Sequence, residues 1–555
     1  MNRKILWLVS LVLVVLFLVW SNPSRQIEKD RLSEIVSRLA SEEFLGRAPG
    51  TEGEVKTLAY LKDYFVALGL SPGGKQGSWT QAVPLMHSQL QLPFNVALNS
   101  GQEQWALQQA IDLEVSTNQA NEHIRIDDAP LVFVGFGATA PERQWDDYGD
   151  IDLRGKVAVF LVNDPDFSAQ PGEAVAGRFG GRRMTYYGRW TYKFEEAARR
   201  GAIAALVIHE DRAAGYGWNV ASSSPGESYA IATADADENS LKLQGWLQTD
   251  AATRLLALAG LDLDQLKIQA RQPEFKAFEL EKLRFSADLL VKVEIIESQN
   301  VLALLPGTTQ ADETIMVSAH WDAYGVGAAD DLGRVVRPGA NDDALGVAGV
   351  LELARVLKQG PALARSIVFA LWTAEESGLL GSAYYAQDPV YPPATTAANL
   401  TLDILQTAGL ARDVILVGEG QSELELDLAR AAAVQGRTIT AESLPENGLF
   451  FRADHFSLAK VGVPVLLLMG IAGGADLVDG GRVAGDKWIA DYISSCYHQT
   501  CDAWDPDWDL GGAAQDVELF QLIIEDLGNS GRWPQWRDGS EFKGIRRLSR
   551  RQRQQ

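Results

Sequence analysis

The run VLALLPGTTQADETIMVSAH (Val301–His320), with ALGVAGVLELARVLKQ (Ala344–Gln359) and SIVFALWTAEE (Ser366–Glu376) behind it, decides the reading of the fold. TIMVSAH and SIVFALW are short apolar runs, the length and composition of buried strands. Between them the apolar positions Val347, Val350, Leu351, Ala354 and Leu357 recur at helical spacing. The same alternation continues through DVILVGEG (Asp413–Gly420), ELELDLARAAAVQ (Glu423–Gln435) and PVLLLMG (Pro464–Gly470). Strand–helix alternation of this kind predicts an α/β domain with a mixed, mostly parallel sheet flanked by helices.

Outward from this core the texture changes. Leu131–Gly135 (LVFVG) and Lys156–Val162 (KVAVFLV) read as strands, with a helix over Lys193–Arg200 and a strand over Ala202–His209. The resulting division is 26–92 as the first part of the main domain, 93–285 as a β-rich insert, 286–530 as its second part, and 531–555, ending in RRLSRRQRQQ, as a basic, disordered and solvated tail. At the other end, basic Met1–Lys4 precede the uncharged run ILWLVSLVLVVLFLVW (Ile5–Trp20). Without a small-x-small cleavage site after it, residues 1–22 read as a signal anchor, with a signal peptide as the alternative. The expected location is exported, on the periplasmic or extracellular side, tethered to the inner or plasma membrane.

Composition narrows the function. The 555 residues carry 50 Lys and Arg against 73 Asp and Glu, a formal charge of −23. Nucleic acid is excluded as a main partner, because phosphate binding needs a basic face. Two cysteines exclude a disulfide framework or a Cys-rich zinc site, although export would permit a Cys496–Cys501 bond. With six histidines in the chain, their positions carry information.

Acids and histidines gather at the ends of the predicted elements. His320 and Asp322 follow TIMVSA, Asp342 and Asp343 precede the helix, Glu375 and Glu376 follow SIVFALWTA, Asp403 follows ANLTL, and His498 lies in CYHQTCD. Open α/β sheets bind ligands at the carboxyl ends of their strands, where His320, Glu376 and Asp403 fall. Taken singly, each feature has an ordinary explanation. A Glu-Glu pair is usually a solvated face, an Asp-Asp pair before a helix an N-cap, and a His after a strand a satisfied core residue. Jointly, two histidines and three carboxylates form an N/O donor set suited to two zinc ions, with one carboxylate shared. Glu375 is then free to act as general base, and Asp322 can orient the imidazole of His320.

These segments resemble a known family, the co-catalytic di-zinc metallopeptidases that include bacterial leucyl aminopeptidase and glutamate carboxypeptidase II. The matching motifs are SAHWDAYG, GANDDALGVAGVLELAR, TAEESGLLGS, NLTLDILQ, RADHFSLAKVGVPVL and YHQTCD, in the family's order. LASEEFLGRAPGTEGEVKTLAYLKDYFVALGL is similar to the opening of that catalytic domain. VFVGFGATAPERQWDDY and RGKVAVFLVNDP are similar to an inserted protease-associated (PA) domain.

The resemblance implies a zinc aminopeptidase-like fold, peptide substrates and two zinc ions per chain. His320 and Asp403 would serve one ion, Glu376 and His498 the other, with Asp342 bridging and Glu375 as base. Asp343 would hold the backbone after the bridge, where the family tends toward a cis peptide. Asp454 and His455 would be structural or pocket-lining. Leu345 stands where the family often has Ser, and Thr401 and Gln406 where Asn is common; none of these removes a ligand.

An aminopeptidase is the leading expectation, because it is the commoner activity in the resembling family. A glutamate-carboxypeptidase-like enzyme, a one-zinc glutaminyl-cyclase-like transferase and a catalytically inactive receptor remain the alternatives. The segment RFGGRRMTYYGRWTYKFEE supplies Arg183, Tyr186, Tyr187 and Arg189 as candidates for the substrate entrance, or as packing of the insert.

Overall fold

A computed structural model describes residues 25–101, 103–222, 225–232 and 240–553. The proposed anchor, 1–22, lies outside the described residues, and no described helix is long and apolar enough to cross a membrane. The chain forms two compact units. The first gathers the described residues up to Ala82, Gln299–Ser443 and those from Ala453 onward; the second gathers Val83–Ser298 and Leu444–Arg452.

The sheet of the first unit runs in the order Val465–Leu468, Thr396–Leu402, Gln310–His320, Arg365–Trp372, then the strand segment ending at Leu305, then Ser71–Pro72. The first three junctions are parallel and the last two antiparallel. All eight residues of Arg365–Trp372 are buried, as expected for a strand covered on both faces. Alternation assigns the faces. Ile315, Val317 and Ala319, with Ile367, Phe369 and Leu371, join one core with helices Lys29–Leu39, Leu345–Gln359 and Gly511–Ser530. On the opposite face, the Ser318 hydroxyl meets that of Thr401 at 2.8 Å.

Helix Leu345–Gln359 is buried continuously from Leu345 to Leu357, not along a single stripe. The helices Lys29–Leu39 and Gly511–Ser530 pack against it in addition to the sheet. Gly349 permits this closeness: a Cβ there would stand 2.5 Å from Leu402 Cδ1 and 2.9 Å from Val517. The two buried charged side chains on this helix neutralise each other, Arg355 Nη2 donating to Glu352 Oε2 at 2.7 Å.

The second unit has a parallel run His123–Phe133, Val157–Leu161, Ala204–His209 and Leu243–Gln248. Leu113–Ser116 closes one side antiparallel, and the long strand that begins at Phe278 closes the other. Helices Trp190–Arg199, Thr249–Leu258 and Leu263–Ala270 accompany it. The unit is therefore a mixed α/β body with a parallel centre.

Its limits differ from the expected 93–285. Strand Phe278–Leu305 continues without a break, so no turn residue marks the change of unit at Ser298. At the other end, Thr80–Leu90 runs on into the second unit and pairs with Glu227–Ile231. Leu444–Arg452 is held there by Arg182, which donates to both carboxylate oxygens of Glu446 at 2.8 and 2.9 Å, and by the Met184 N–H to Pro445 O at 3.1 Å.

A fully buried lysine pins this unit. Lys193 Nζ donates to the carbonyls of Phe136, Asn163 and Tyr187 at 2.6, 3.0 and 2.8 Å. Lys193→Met strands three buried acceptors, and the expected cost is about 3 kcal/mol, read by calorimetry as a lower Tm. The change also has a pH signature. Burial pushes the ammonium down to about 8, opposed by Asp164 and Asp147. The folded value lies below the ordinary 10.5, so between the two the unfolded chain binds more protons. Wild-type stability therefore rises from pH 8 toward 10.5, and the variant lacks that contribution. Equal slopes in both proteins would contradict the assignment.

The C-terminal segment is a correction to the disordered-tail expectation. Lys543–Arg553 is a helix. Phe542, Arg546 and Ser549 are buried at helical spacing. Arg546 donates to the carbonyls of Pro393, Thr396 and Ala397 at 2.9, 3.0 and 3.4 Å. One face of the basic run is therefore a docking face, whereas Arg547, Arg550 and Arg551 are exposed.

Candidate metal centre

Parallel register sets the frame of the site. His320 is the last residue of its strand and lies level with Trp372. Glu375 and Glu376 follow Trp372, and Asp403 follows Leu402, so three neighbouring strands deliver His320, the glutamates and Asp403 to one edge. Asp342 and Asp343 come from the turn before helix Leu345–Gln359 and are joined by a cis peptide bond. His498 arrives from a loop closed by a Cys496–Cys501 disulfide.

Asp342 sits between the histidines. Its Oδ1 is 3.2 Å from His320 Nε2, and its Oδ2 is 3.3 Å from His498 Nε2. His320 Nε2 is also 4.0 Å from both Asp403 Oδ1 and Glu375 Oε2, and His498 Nε2 is 3.5 Å from Glu376 Oε2. Ligating atoms of His320, Asp342 and Glu376 fall within 4.8 Å of one another, as do those of His320, Asp343 and Asp403. The structure thus brings together His320, Asp342, Glu375, Glu376, Asp403 and His498. Asp343 belongs to the backbone of the site: its Oδ1 accepts from Gly346 N at 3.0 Å and Ile404 N at 3.3 Å, and its Oδ2 from His320 N at 3.2 Å.

The electrostatics of the cluster call for a cation. Burial pushes Glu375 well above its usual range, helped by Asp403 and Asp454, and burial with Asp342 and Glu375 does the same to Glu376. Burial opposes charge on His320, but Glu375, Asp322 and Asp342 hold its pKa well up. For Asp342, burial is overcome by hydrogen bonds from His320 and His498, which hold it low. Glu376 Oε1 is buried and has no hydrogen-bond partner among the described residues. Carboxylates concentrated this way, with an orphaned oxygen and two imidazoles converging on a shared aspartate, fit divalent ions that take N and O donors.

Asp322 departs in detail from expectation. The nearer acceptor for His320 Nδ1 is the carbonyl of Asp322 at 3.2 Å, its carboxylate lying at 3.6 Å. That carboxylate instead receives the backbone N–H groups of Glu375 at 3.1 Å and Glu376 at 3.4 Å. It therefore sets the turn that aims both glutamates. Asp454 and His455 are buried in the same unit; burial, against His320 and a Ser382 hydrogen bond, pushes Asp454 up to about 8.

Arg183, Tyr186, Tyr187 and Arg189 lie in the second unit. Tyr187 and Arg189 are buried there, and Arg183 and Tyr186 are half-buried. The Tyr187 hydroxyl donates to Glu142 at 2.9 Å, that of Tyr186 donates to Glu195, and both rings pack on Tyr192. Burial and neighbouring Arg452 lower Arg189 to about 10.

Three supporting residues were not singled out from the sequence. Tyr324 Oη lies 3.0 Å from His498 Nδ1. Asp502 accepts from the N–H groups of Asn341 at 3.0 Å and Asp342 at 3.1 Å. Arg47, fully buried, donates to the carbonyls of Trp321 (2.8 Å), Leu39 (3.0 Å), Pro338 (2.6 Å) and Gly339 (2.9 Å). All three stand inside quoted motifs, SAHWDAYG, YHQTCD and LGRAPG, and that membership was the available signal.

Comparison with known proteins bears on the same region. Residues 300–520 match the model of peptidase family M28. Leupeptin-inactivating enzyme 1 of Streptomyces exfoliatus is 28% identical over 209 residues, covering 37% of this chain and 43% of its own length. Aminopeptidase YwaD of Bacillus subtilis is 29% identical over 170 residues, covering 30% and 34%. The chain thus spans less than half the length of these curated relatives. Among solved structures, an aminopeptidase from Aneurinibacillus sp. strain AM-1 superposes with a TM-score of 0.48 at 20% identity, over 92% of this chain and 96% of that one.

Proposed function

We propose that this chain, whose residues 300–520 are a peptidase family M28 domain, is a zinc-dependent exopeptidase of the aminopeptidase type. The observation that carries the reading is Asp342, which offers one carboxylate oxygen to each of two imidazoles. His320, Asp342 and Asp403 would hold one zinc, and Asp342, Glu376 and His498 the other. Zinc so held supplies Lewis acidity for the scissile carbonyl and lowers the pKa of an attacking water toward ~7.

The remaining work falls to the chain's own groups. Glu375, not required as a ligand, takes the water's proton at Oε2 and returns it to the leaving amine. Asp322 positions Glu375 and Glu376 through their backbone N–H groups. Asp343 and Asp502 fix the Asp342 turn, and Tyr324 orients His498.

We assign the insert, within 93–285, to a PA-like module and the bulk of the chain to the exported side of a membrane. The basic Met1–Lys4 and uncharged Ile5–Trp20 support export, as does the Cys496–Cys501 bond, which suits an oxidising compartment.

Elemental analysis of the purified full chain, with aminoacyl and acyl-glutamate reporters assayed with and without a chelator, tests the reading. Two zinc per chain and chelator-sensitive aminoacyl hydrolysis are expected. Acyl-glutamate cleavage alone would make the enzyme a carboxypeptidase. One zinc with cyclisation, or no metal and no hydrolysis after zinc is resupplied, would replace the peptidase reading with a transferase or a binding protein.

A further inference from the structure

A cation without a partner among the described residues lines the cleft that holds the shared aspartate. Arg337 ends the short strand Val336–Arg337, paired antiparallel with Gly325–Val326. Its backbone is locked in place: a Cβ on Gly46, itself at φ +67°, would stand 2.5 Å from the Arg337 carbonyl oxygen. Its guanidinium occupies room left by a missing side chain, since a Cβ on Gly327 would stand 1.8 Å from Arg337 Nη1. From that slot the side chain of half-buried Arg337 lines a cleft together with Tyr324, Asp342, Glu376 and His498.

Acids share this cleft, yet none pairs with it. Among the described residues no carboxylate comes within 4.0 Å of the Arg337 guanidinium, and it donates no hydrogen bond. Asp342 faces the two imidazoles, and Asp502 is occupied by backbone N–H groups. A half-buried cation with no internal partner among the described residues is available to an anion from outside. A chain of charge −23 otherwise repels anionic substrates, so one placed guanidinium confers selectivity.

We propose that Arg337 is a specificity-determining residue that receives a substrate carboxylate beside the bond to be cleaved. The planar guanidinium fork matches a carboxylate bidentately. That carboxylate is either the C-terminus of a dipeptide-like substrate or an acidic side chain next to the scissile bond. The inference rests on the hydrolase reading and narrows it to short or acidic peptides.

The test uses the zinc-loaded full chain with leucyl-glycine, leucyl-glycinamide and leucyl-aspartamide. Wild type should favour a carboxylate-bearing substrate over the neutral amide in kcat/KM by about tenfold or more. Preference for leucyl-glycine identifies the terminal carboxylate, and preference for leucyl-aspartamide the side chain. Arg337→Gln should collapse that ratio toward one, mainly through KM, and Arg337→Lys should restore part of it. A wild-type ratio near one, or an equal loss on all three substrates in Arg337→Gln, overturns the proposal. A poorly folded variant leaves the wild-type ratio, and its decline with added salt, as the deciding measurement. If wild type hydrolyses none of the three, the hydrolase reading falls. Calorimetric binding of leucyl-glycine against leucyl-glycinamide then decides Arg337 separately, equal affinities overturning it.

Discussion

Glu375→Gln is expected to lower kcat by about 10³- to 10⁴-fold while leaving the zinc content at the wild-type value. The two halves of this expectation come from different observations. Glu375 Oε2 stands 4.0 Å from His320 Nε2, close enough to serve the same reacting centre. The shared carboxylate of Asp342, with Asp403 on one side and Glu376 on the other, already supplies each imidazole with acidic partners. Gln keeps the length of Glu and the backbone N–H that Asp322 anchors at 3.1 Å. What it loses is a site for a proton. Elemental analysis beside steady-state kinetics reads both quantities at once. Joint loss of zinc and turnover would make Glu375 a ligand, and undiminished turnover would make another group the base.

How far the sequence discloses this site depends on whether a residue's task is local. His320, Glu375, Glu376 and Asp403 follow apolar runs directly, and the carboxyl ends of parallel strands fall on one edge, so their convergence was legible. The fixing of Asp342 was not, because the groups that do it are remote. Asp502 lies 161 residues from Asn341, and Arg47 lies 274 from the Trp321 carbonyl it binds. Nothing in the local pattern of either residue reports such partners; a buried Arg that satisfies backbone carbonyls looks, in sequence, like a solvated one. The same blindness explains the C-terminal helix, where Arg546 is buried against carbonyls at Pro393, Thr396 and Ala397. It also explains Leu444–Arg452, whose place in the second unit rests on Glu446 meeting Arg182. Hydrophobic periodicity locates cores, whereas polar contacts at long sequence separation leave no period to find.

Asp342→Asn should reduce bound zinc from the two ions per chain proposed above to one or none and lower kcat/KM by about 10⁴-fold, as expected if both ion positions depend on one group. The shared position makes this residue different from every other acid of the cluster. Removing Asp403 or His498 would take a partner from one imidazole's side only. Asp342 presents Oδ1 to His320 and Oδ2 to His498, and Asn keeps one oxygen, uncharged, and turns an NH₂ group toward the other imidazole. That group cannot ligate. Asp502 still accepts from the backbone N–H groups of positions 341 and 342, so the turn itself should persist. Elemental analysis, compared with Asp403→Asn as a one-sided control, separates the two effects: the control should lose one ion, whereas Asp342→Asn should bind its remaining ion more weakly than the control does. The change in Tm on adding zinc follows the same order, since an ion bound only by the folded chain stabilises it more the more tightly it binds at a given zinc concentration. Two zinc ions retained in Asp342→Asn, with activity near wild type, would show that the histidines are served separately and that the carboxylate between them bridges nothing.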